Sequence, residues 1–433
     1  MKDYTVLQFG EGNFIRAFFD WMLERISAAT GENHSVFLVQ PIPQGRVAEI
    51  VATRDYSVLL RGYRNGVYEE TLESVGVIAG GCNPFEEDGM ERMLSAALSP
   101  TLKAVTSNTT EAGIFFEEHH KPHNYASLLA AALHARSAKG LPPLSILPLE
   151  LIENNGQTLK KCVERYGRLW KYDHAFFAYL DECRFYDTLV DRIVPGFPAK
   201  DAPKIYRRLG REDPNITSGE LFHLFVVQGD KRILDILPFH KADLNVIVTD
   251  ERLGFYRDRK VRILNGVHTA SVPVALLNGV EYVRDFVEDP RFEPDLRRLV
   301  HDEIVPAFSD DPETHKYGDN VLERFRNPAL EHAFRSIALN SVAKCNTRLR
   351  PTLEGYFSKF VELPPVLTNC IAAMTDLYYC DGVRELPGGP FVLQDFGQLR
   401  GRSVADMTDS FFPNLSAPLR KELVEVLERH RCR

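Results

Sequence analysis

The chain has 433 residues, 44% of them hydrophobic and 26% charged, with a net charge of -8. That length suits two domains with sizeable cores, and the composition is that of an ordinary globular protein rather than a disordered or membrane-embedded one. The acidic balance argues against nucleic acid or an anionic membrane as the main partner, while leaving room for a local basic pocket that takes a small anion. Met1-Lys-Asp-Tyr-Thr runs straight into an apolar strand with no basic region, apolar signal core or cleavage site. With no apolar run of about 18 residues either, a cytoplasmic location is expected. The cysteines (Cys82, Cys162, Cys183, Cys345, Cys370, Cys380 and Cys432) are scattered without a C-x-x-C pair and read as reduced thiols.

Tyr4 to Phe9 is a β-branched and aromatic run that ends in Gly10-Glu11-Gly12-Asn13-Phe14, and apolar residues then recur at helical spacing from Ile15 to Ile26. Strand, glycine turn and helix in that order suit a pyrophosphate, because glycines let the backbone approach it and the helix N-terminus offers free N–H groups. The next strand, Ser35 to Gln40, falls where a βαβ unit places it. The turn is not a full G-x-G-x-x-G, since no third glycine follows and the chain continues through Ile15 into Arg16 and Ala17. The acidic residue that would hold an adenosine ribose after the second strand is missing as well. Gln40 ends that strand and Arg46 follows, so the choice between NAD and NADP stays open.

Strands are expected at Tyr56 to Arg61, Val67 to Val77 and Leu102 to Ser107, the last running into the polar turn Asn108-Thr109-Thr110-Glu111-Ala112-Gly113. Such a turn at the carboxyl end of a strand is where open α/β sheets bind ligands, which makes Asn108 and Thr109 cofactor candidates; a helix cap is the plainer reading. Tyr125 to Ala138 reads as a helix, Pro143 to Leu149 as a buried strand leading to Glu150 and Leu151, and Gln157 to Arg168 as another helix. This alternation predicts a parallel sheet with helices on both faces. Strand-like runs recur at Phe222 to Gln228 and Leu244 to Val248. Strand patterns then fade, and helices are expected at Thr269 to Leu277, Glu281 to Val287, Pro294 to Val305, Asn327 to Lys344 and Pro365 to Tyr379. The expected division is an α/β domain over residues 1-255 followed by a mostly α-helical domain over 256-433.

At the start of the helical part stands Lys260-Val-Arg-Ile-Leu-Asn265-Gly-Val-His268. On an α-helix, about 100° per residue sets Lys260 and Asn265 roughly 140° apart and Asn265 and His268 roughly 60° apart. Asn265 and His268 therefore share a face, and Lys260 joins them only at the helix entry or by reaching round. A lysine that can lose its proton, an amide for a developing oxyanion and an imidazole to orient oxygen suit proton transfer on a carbonyl or alcohol. A solvated helix face is the competing reading.

Glu117 to His123 gathers two carboxylates and three imidazoles, but Pro122 breaks the spacing and a loop is expected there rather than a metal site. There is no H-E-x-x-H, no G-x-S-x-G elbow and no P-loop. Ser336 to Arg350 reads as a helix whose end carries Lys344, Arg348 and Arg350. These cations suit either a carboxylate clamp or the helix dipole.

Taken together these motifs resemble the polyol-specific long-chain dehydrogenase/reductase (mannitol dehydrogenase) family, over nearly the whole chain. Lys260, Asn265 and His268 match the family's Lys-x4-Asn-x2-His pattern. The stretches Leu7 to Phe14, Ser107 to Ile114, Asp191-Arg-Ile-Val-Pro-Gly196 and Leu244 to Val248 are most similar to its tagaturonate reductase branch. The resemblance implies an extended Rossmann-type doubly wound domain followed by an α-helical substrate domain, and zinc-independent chemistry with NAD or NADP. It also implies Lys260 as general acid/base, Asn265 on the oxyanion and His268 on the substrate. A free lysine has a pKa near ~10.4, so action near neutrality needs burial or a neighbouring cation such as Arg262. Against the mannitol dehydrogenases, Glu150-Leu151 replaces an Asp-Asn pair whose asparagine shares the oxyanion role; against the hexuronate branch, Gln228 replaces an acidic residue, and Asp187 and Cys345 depart within stretches that otherwise follow it. The implied activity is interconversion of a keto sugar acid and its aldonate by a monomer or small homo-oligomer. Alternatives are a fructuronate reductase, a mannitol-type polyol dehydrogenase or a non-catalytic dinucleotide-binding sensor.

Overall fold

The computed structural model describes residues 4–110, 112–379, 383–386 and 389–431, so Met1 to Asp3, Glu111, Cys380 and Cys432 lie outside the described residues. The chain divides into two compact units, 1–64 with 68–256 and 65–67 with 257–433.

In chain order the first unit's strands are β1 (Val6–Phe9), β2 (Val36–Val39), β3 (Tyr56–Arg64), β4 (Val67–Val75), β5 (Ile78–Cys82), β6 (Ala104–Ser107), β7 (Ser145–Pro148), β8 (Arg184–Phe185), β9 (Asp187–Asp191), β10 (Thr217–Glu220), β11 (Leu224–Gln228) and β12 (Val246–Thr249). Six form one parallel sheet in the order β5-β2-β1-β6-β7-β8. β1, β2, β6 and β7 are buried at every position, as expected of strands covered on both faces. One face packs Phe18, Trp21 and Ile26 on Val6 and Leu38; the other packs Leu129, Leu133 and Val163 on Leu7, Phe9 and Val39. The strand order reverses at β1/β6, which sets the crevice between their carboxyl ends as the ligand position of a doubly wound sheet.

The strand expected over 67–77 forms as β4 and ends at Val75, and a further strand, β5, follows from Ile78. Residues 67–74 are exposed or half-buried, only Val75 is buried, and β4 stands in a separate three-stranded sheet, β10-β3-β4. Residues 78–82 are largely buried and enter the parallel sheet instead. A second small sheet, β12-β11-β9, completes the unit.

The stretch Asp191-Arg192-Ile-Val-Pro-Gly196 has a structural explanation. Arg192 is buried, donates to the carbonyls of Ala17, Leu221 and Phe222, and lies 4.1 Å over the Trp21 ring. Close by, burial and then Arg192 push His223 down to about 3, and this neutral ring accepts the Asn245 N–H at 2.9 Å.

Asp20, fully buried, accepts from Gln8 at 3.3 Å and from the Tyr56 hydroxyl at 3.2 Å, and burial raises its pKa from 3.8 to about 7. The folded protein therefore holds this proton where the unfolded chain releases it. The stabilisation is complete below the unfolded value and is lost as pH rises through about 7. In urea titrations at about pH 5 and about pH 8, the parent should lose about 3 kcal/mol more than Asp20→Asn between the two conditions. Identical pH dependence in the two proteins would remove Asp20 from this role.

In the second unit a π-helical stretch, Lys260–Asn265, leads directly into the α-helix Gly266–Leu277. The helix expected over 294–305 is Glu293–Arg298, a π-helical Leu299–Ile304 and Val305–Phe308. The single helix expected over 327–344 does not form. Val283 N–H donates to the His332 carbonyl at 3.0 Å and Phe334 N–H to the Glu281 carbonyl at 2.9 Å, taking the backbone groups a helix would use. Asn340, at φ 57, then separates Phe334–Ile337 from Ser341–Lys344. Nor is 336–350 one helix: π-helical Cys345–Leu349 follows Lys344, and a new helix, Arg350–Phe360, begins with Pro351 in its first turn. Pro365–Tyr379 is helical as expected. Among the described residues no helix is long and apolar enough to cross a membrane.

Candidate active site

At the carboxyl end of β1, Gly10 has φ +106, and a Cβ there would lie 2.6 Å from the Asn108 carbonyl oxygen. Only glycine lets the β1 and β6 turns approach this closely. Gly12 caps the helical run that starts at Asn13, with open space around the position of its missing Cβ. The run passes through a π-helical Arg16–Asp20 into Trp21–Thr30. Arg16, which follows Ile15 at the site of the absent third glycine, is buried. It donates to the carbonyls of Glu11 and Asn215 and to the Asn13 amide oxygen, and so fixes the turn from inside. Phe14 stacks on Phe18 with ring centroids 5.1 Å apart. These features fit a dinucleotide pyrophosphate: a close backbone approach followed by a helix N-terminus.

Around the turn, the Glu11 carboxyl accepts the Arg46 N–H, and burial raises its pKa. The Gln40 amide donates to the carbonyls of Ile42 and Pro43 and accepts from Val47, closing the loop after β2. Arg46 is bound by Glu49 at 2.6 and 2.9 Å and by Asn215 at 2.9 Å. Thr109 donates both its backbone N–H (2.8 Å) and its hydroxyl (2.9 Å) to Glu150, and Ser107 donates to the other carboxyl oxygen at 2.9 Å. Burial raises the pKa of Glu150, and the Thr109 and Ser107 donors oppose that shift. Asn108, Thr110, Ala112, Glu150 and Leu151 line a cleft, with Leu151 54% exposed. Replacing Gly10 by alanine should weaken dinucleotide binding by about tenfold or more through this strained, crowded position. A fluorescence titration on a variant with parental circular dichroism checks it, and an unchanged Kd would refute it.

In the second unit the π-helix decides the geometry. Its i→i+5 hydrogen bonding returns the chain to the same side after about five residues, so Lys260 and Asn265 fall one turn apart on one face. Lys260 and Asn265 are half-buried, and the Asn265 side chain makes no hydrogen bond among the described residues. His268, 5% exposed, stacks on Phe325 with centroids 4.1 Å apart, and its Nε2 is buried without a hydrogen-bond partner. Burial, then His332, Arg348, Arg324 and Lys344, push its pKa well below the ordinary range and keep the ring neutral.

The cations reach this face through packing. A Cβ on Gly266 would meet the Arg348 carbonyl at 3.4 Å, and Arg348 donates to Thr269 at 3.3 Å. Lys344 donates to the Ile337 carbonyl at 2.7 Å, and burial followed by Arg348 lowers its pKa. Arg350 points elsewhere, bound to Glu354 at 2.8 Å and to the carbonyls of Pro413 and Asn414. Arg262 donates to the Pro351 carbonyl and lies over Phe308.

The profile of the mannitol dehydrogenase Rossmann domain matches residues 4–237, and that of the mannitol dehydrogenase C-terminal domain matches 252–399. The chain belongs to the mannitol dehydrogenase family. It is 38% identical to an altronate oxidoreductase of Halalkalibacterium halodurans, over 90% of this chain and 77% of that protein. To the altronate oxidoreductase of Bacillus subtilis it is 37% identical, over 93% and 85%. In fold it is similar to a D-sorbitol dehydrogenase (TM-score 0.84, 19% identity, 99% and 93% covered) and to Pseudomonas fluorescens mannitol 2-dehydrogenase in complex with NAD and D-mannitol (TM-score 0.72, 19% identity, 99% and 91% covered). As a member of the mannitol dehydrogenase family it is an oxidoreductase acting on CH–OH groups, and its Rossmann domain supports a nicotinamide dinucleotide as cofactor.

Asp187, Gln228 and Cys345, expected as departures from the hexuronate branch, have defined local surroundings. Asp187 accepts the Gln157 N–H at 3.0 Å, Gln228 accepts the Leu253 N–H at 3.1 Å, and burial pushes the Cys345 thiol up to about 12. His119 and His123 sit in an irregular segment with ring centroids 4.4 Å apart, His123 lying 3.3 Å from Glu117. Among the described residues no group of three or more His, Cys, Asp or Glu could hold a metal ion. Sequence reasoning missed Thr269, Phe325 and His332, which surround His268 or Arg348. Helical spacing links 268 to 269 trivially, but no local pattern ties 325 or 332 to it.

Proposed function

We propose that the protein reduces the keto group of a keto sugar acid to the aldonate and catalyses the reverse oxidation, with tagaturonate and altronate as the leading pair. The observation that carries this reading is the single face that joins Lys260, Asn265 and neutral His268, with Lys344 and Arg348 beside it. Relatives named altronate oxidoreductase, 35–38% identical to this chain, support the same substrate class.

In reduction, Lys260 donates a proton to the carbonyl oxygen as that oxygen gains negative charge, and in oxidation it accepts the hydroxyl proton. The Asn265 amide donates a hydrogen bond to the same oxygen, stabilising its charge without reorganisation. His268, neutral by burial, orients a substrate hydroxyl rather than repelling the nearby lysine. Lys344 and Arg348 bind the carboxylate, a role in which charge-assisted hydrogen bonds are strong. A nicotinamide dinucleotide held by the turn of Gly10 to Asn13 would supply the hydride for reduction and take it up in oxidation. NAD is the proposed cofactor, since Glu49 and Asn215 already bind the Arg46 guanidinium that a 2′-phosphate would need.

The test is oxidation of NADH and NADPH by the purified protein against tagaturonate, fructuronate and fructose. Turnover confined to the keto acids with NADH supports the reading. Turnover of fructose alone makes it a polyol dehydrogenase, and no turnover of any of the three overturns the proposal.

A further inference from the structure

His332 belongs to none of the motifs that sequence spacing reveals, and the irregular segment that carries it replaces an expected helix. Its backbone is nevertheless fixed on both sides, by the Val283 N–H bond to its own carbonyl and by the bridge between Tyr282 and Ala333. The imidazole stands edge-on to His268, with ring centroids 4.6 Å apart and planes at 78°. It is half-buried, and its ring makes no hydrogen bond among the described residues. Burial and then Lys344 lower its pKa, so it too is neutral.

The edge-to-face angle is that of an ordinary ring pair; what marks this pair is its unused hydrogen-bonding capacity. Each neutral ring carries one donor and one acceptor on different edges, and a hydroxyl both donates and accepts, so each ring can hold a hydroxyl through either nitrogen. The His268 Nε2 is buried without a partner, which leaves hydrogen-bonding capacity facing inward at this spot. Phe325 covers one face of His268, so substrate contact falls to the ring edges.

We propose that His332 is a second substrate-binding imidazole, which holds the hydroxyl next to the one oriented by His268 and thereby reads the configuration of one carbon of the sugar acid. This inference rests on the function proposed above. A substrate with that hydroxyl inverted leaves the ring nitrogen without its partner in a site shielded by substrate, an asymmetry that discriminates far better than a change in apolar contact.

Tagaturonate and fructuronate are epimers at one carbon and supply the probe. Steady-state kinetics with both acids are compared for the parent, His332→Phe and His332→Gln, with NADH affinity measured in parallel. His332→Phe keeps a ring of similar shape and should raise KM for the preferred acid by about tenfold or more while reducing the preference between epimers by a similar factor, with kcat less affected. His332→Gln, which keeps a donor and an acceptor, should recover part of the preference, and NADH affinity should not change. A preference ratio unaltered in both variants overturns the role of His332 and leaves the proposed function standing. A parent that turns over neither acid overturns both. Loss of preference in His332→Phe with no recovery in His332→Gln, accompanied by weaker NADH binding, marks a structural role and also overturns the proposal.

Discussion

Replacing Lys260 by alanine should lower kcat for keto-acid reduction by about 10²–10⁴-fold, the range expected for loss of a positioned general acid. Lys260 is proposed to move a proton rather than to hold the cofactor, so NADH affinity should stay at the parental value. That split separates loss of chemistry from loss of fold. Asn265→Ala should lower kcat as well, because it removes the amide from the same oxygen, and combining the two should cost less than the product of the single effects. A Lys260→Ala protein with parental kcat would end the acid/base assignment, and one that no longer binds NADH would show a disturbed fold.

The second large effect concerns the cations. Arg348→Ala should raise KM for an acidic sugar by about 10–100-fold, the equivalent of one lost charge-assisted hydrogen bond in a shielded site. Lys344→Ala should act in the same direction. For neutral fructose, any residual turnover should change far less, since no carboxylate is there to lose. Arg350→Ala is the internal control: its guanidinium is bound to Glu354, Pro413 and Asn414, and its removal should affect stability rather than KM. Equal effects of Arg348→Ala on acid and neutral substrates would remove the carboxylate role.

Much of the fold was legible because its signals are local. The strand, glycine turn and helix of residues 4–30, the buried strands at 104–107 and 145–148 and the helix at 365–379 all announce themselves by periodicity and turn residues. What was hidden depends on contacts distant in sequence. Glu150 looked like half of a broken Asp-Asn pair, yet it organises the turn after β6 through Ser107 and Thr109, over forty residues earlier. Arg192 looked like part of a family signature, and its partners at Ala17, Leu221 and Phe222 explain it as a backbone staple. The helix expected at 327–344 gave way because backbone groups at 281 and 283 were available to pair with it. Lys260, Asn265 and His268 were legible as a trio, but α-helical angles put the lysine out of line.

The π-helical turn at Lys260–Asn265 is in effect an α-helix carrying one surplus residue, and this governs what kind of genetic change the site can absorb. Val261 to Leu264 can change their side chains within the limits of packing, since the register of the lysine is set by residue count rather than by residue identity. Removing or adding one residue there would turn the lysine about 100° relative to Asn265. Drift by substitution leaves the active face aligned, whereas drift by insertion or deletion breaks it in a single step. The interval of four residues between Lys260 and Asn265 is thus a length constraint written into the gene, independent of the sugar the protein reduces.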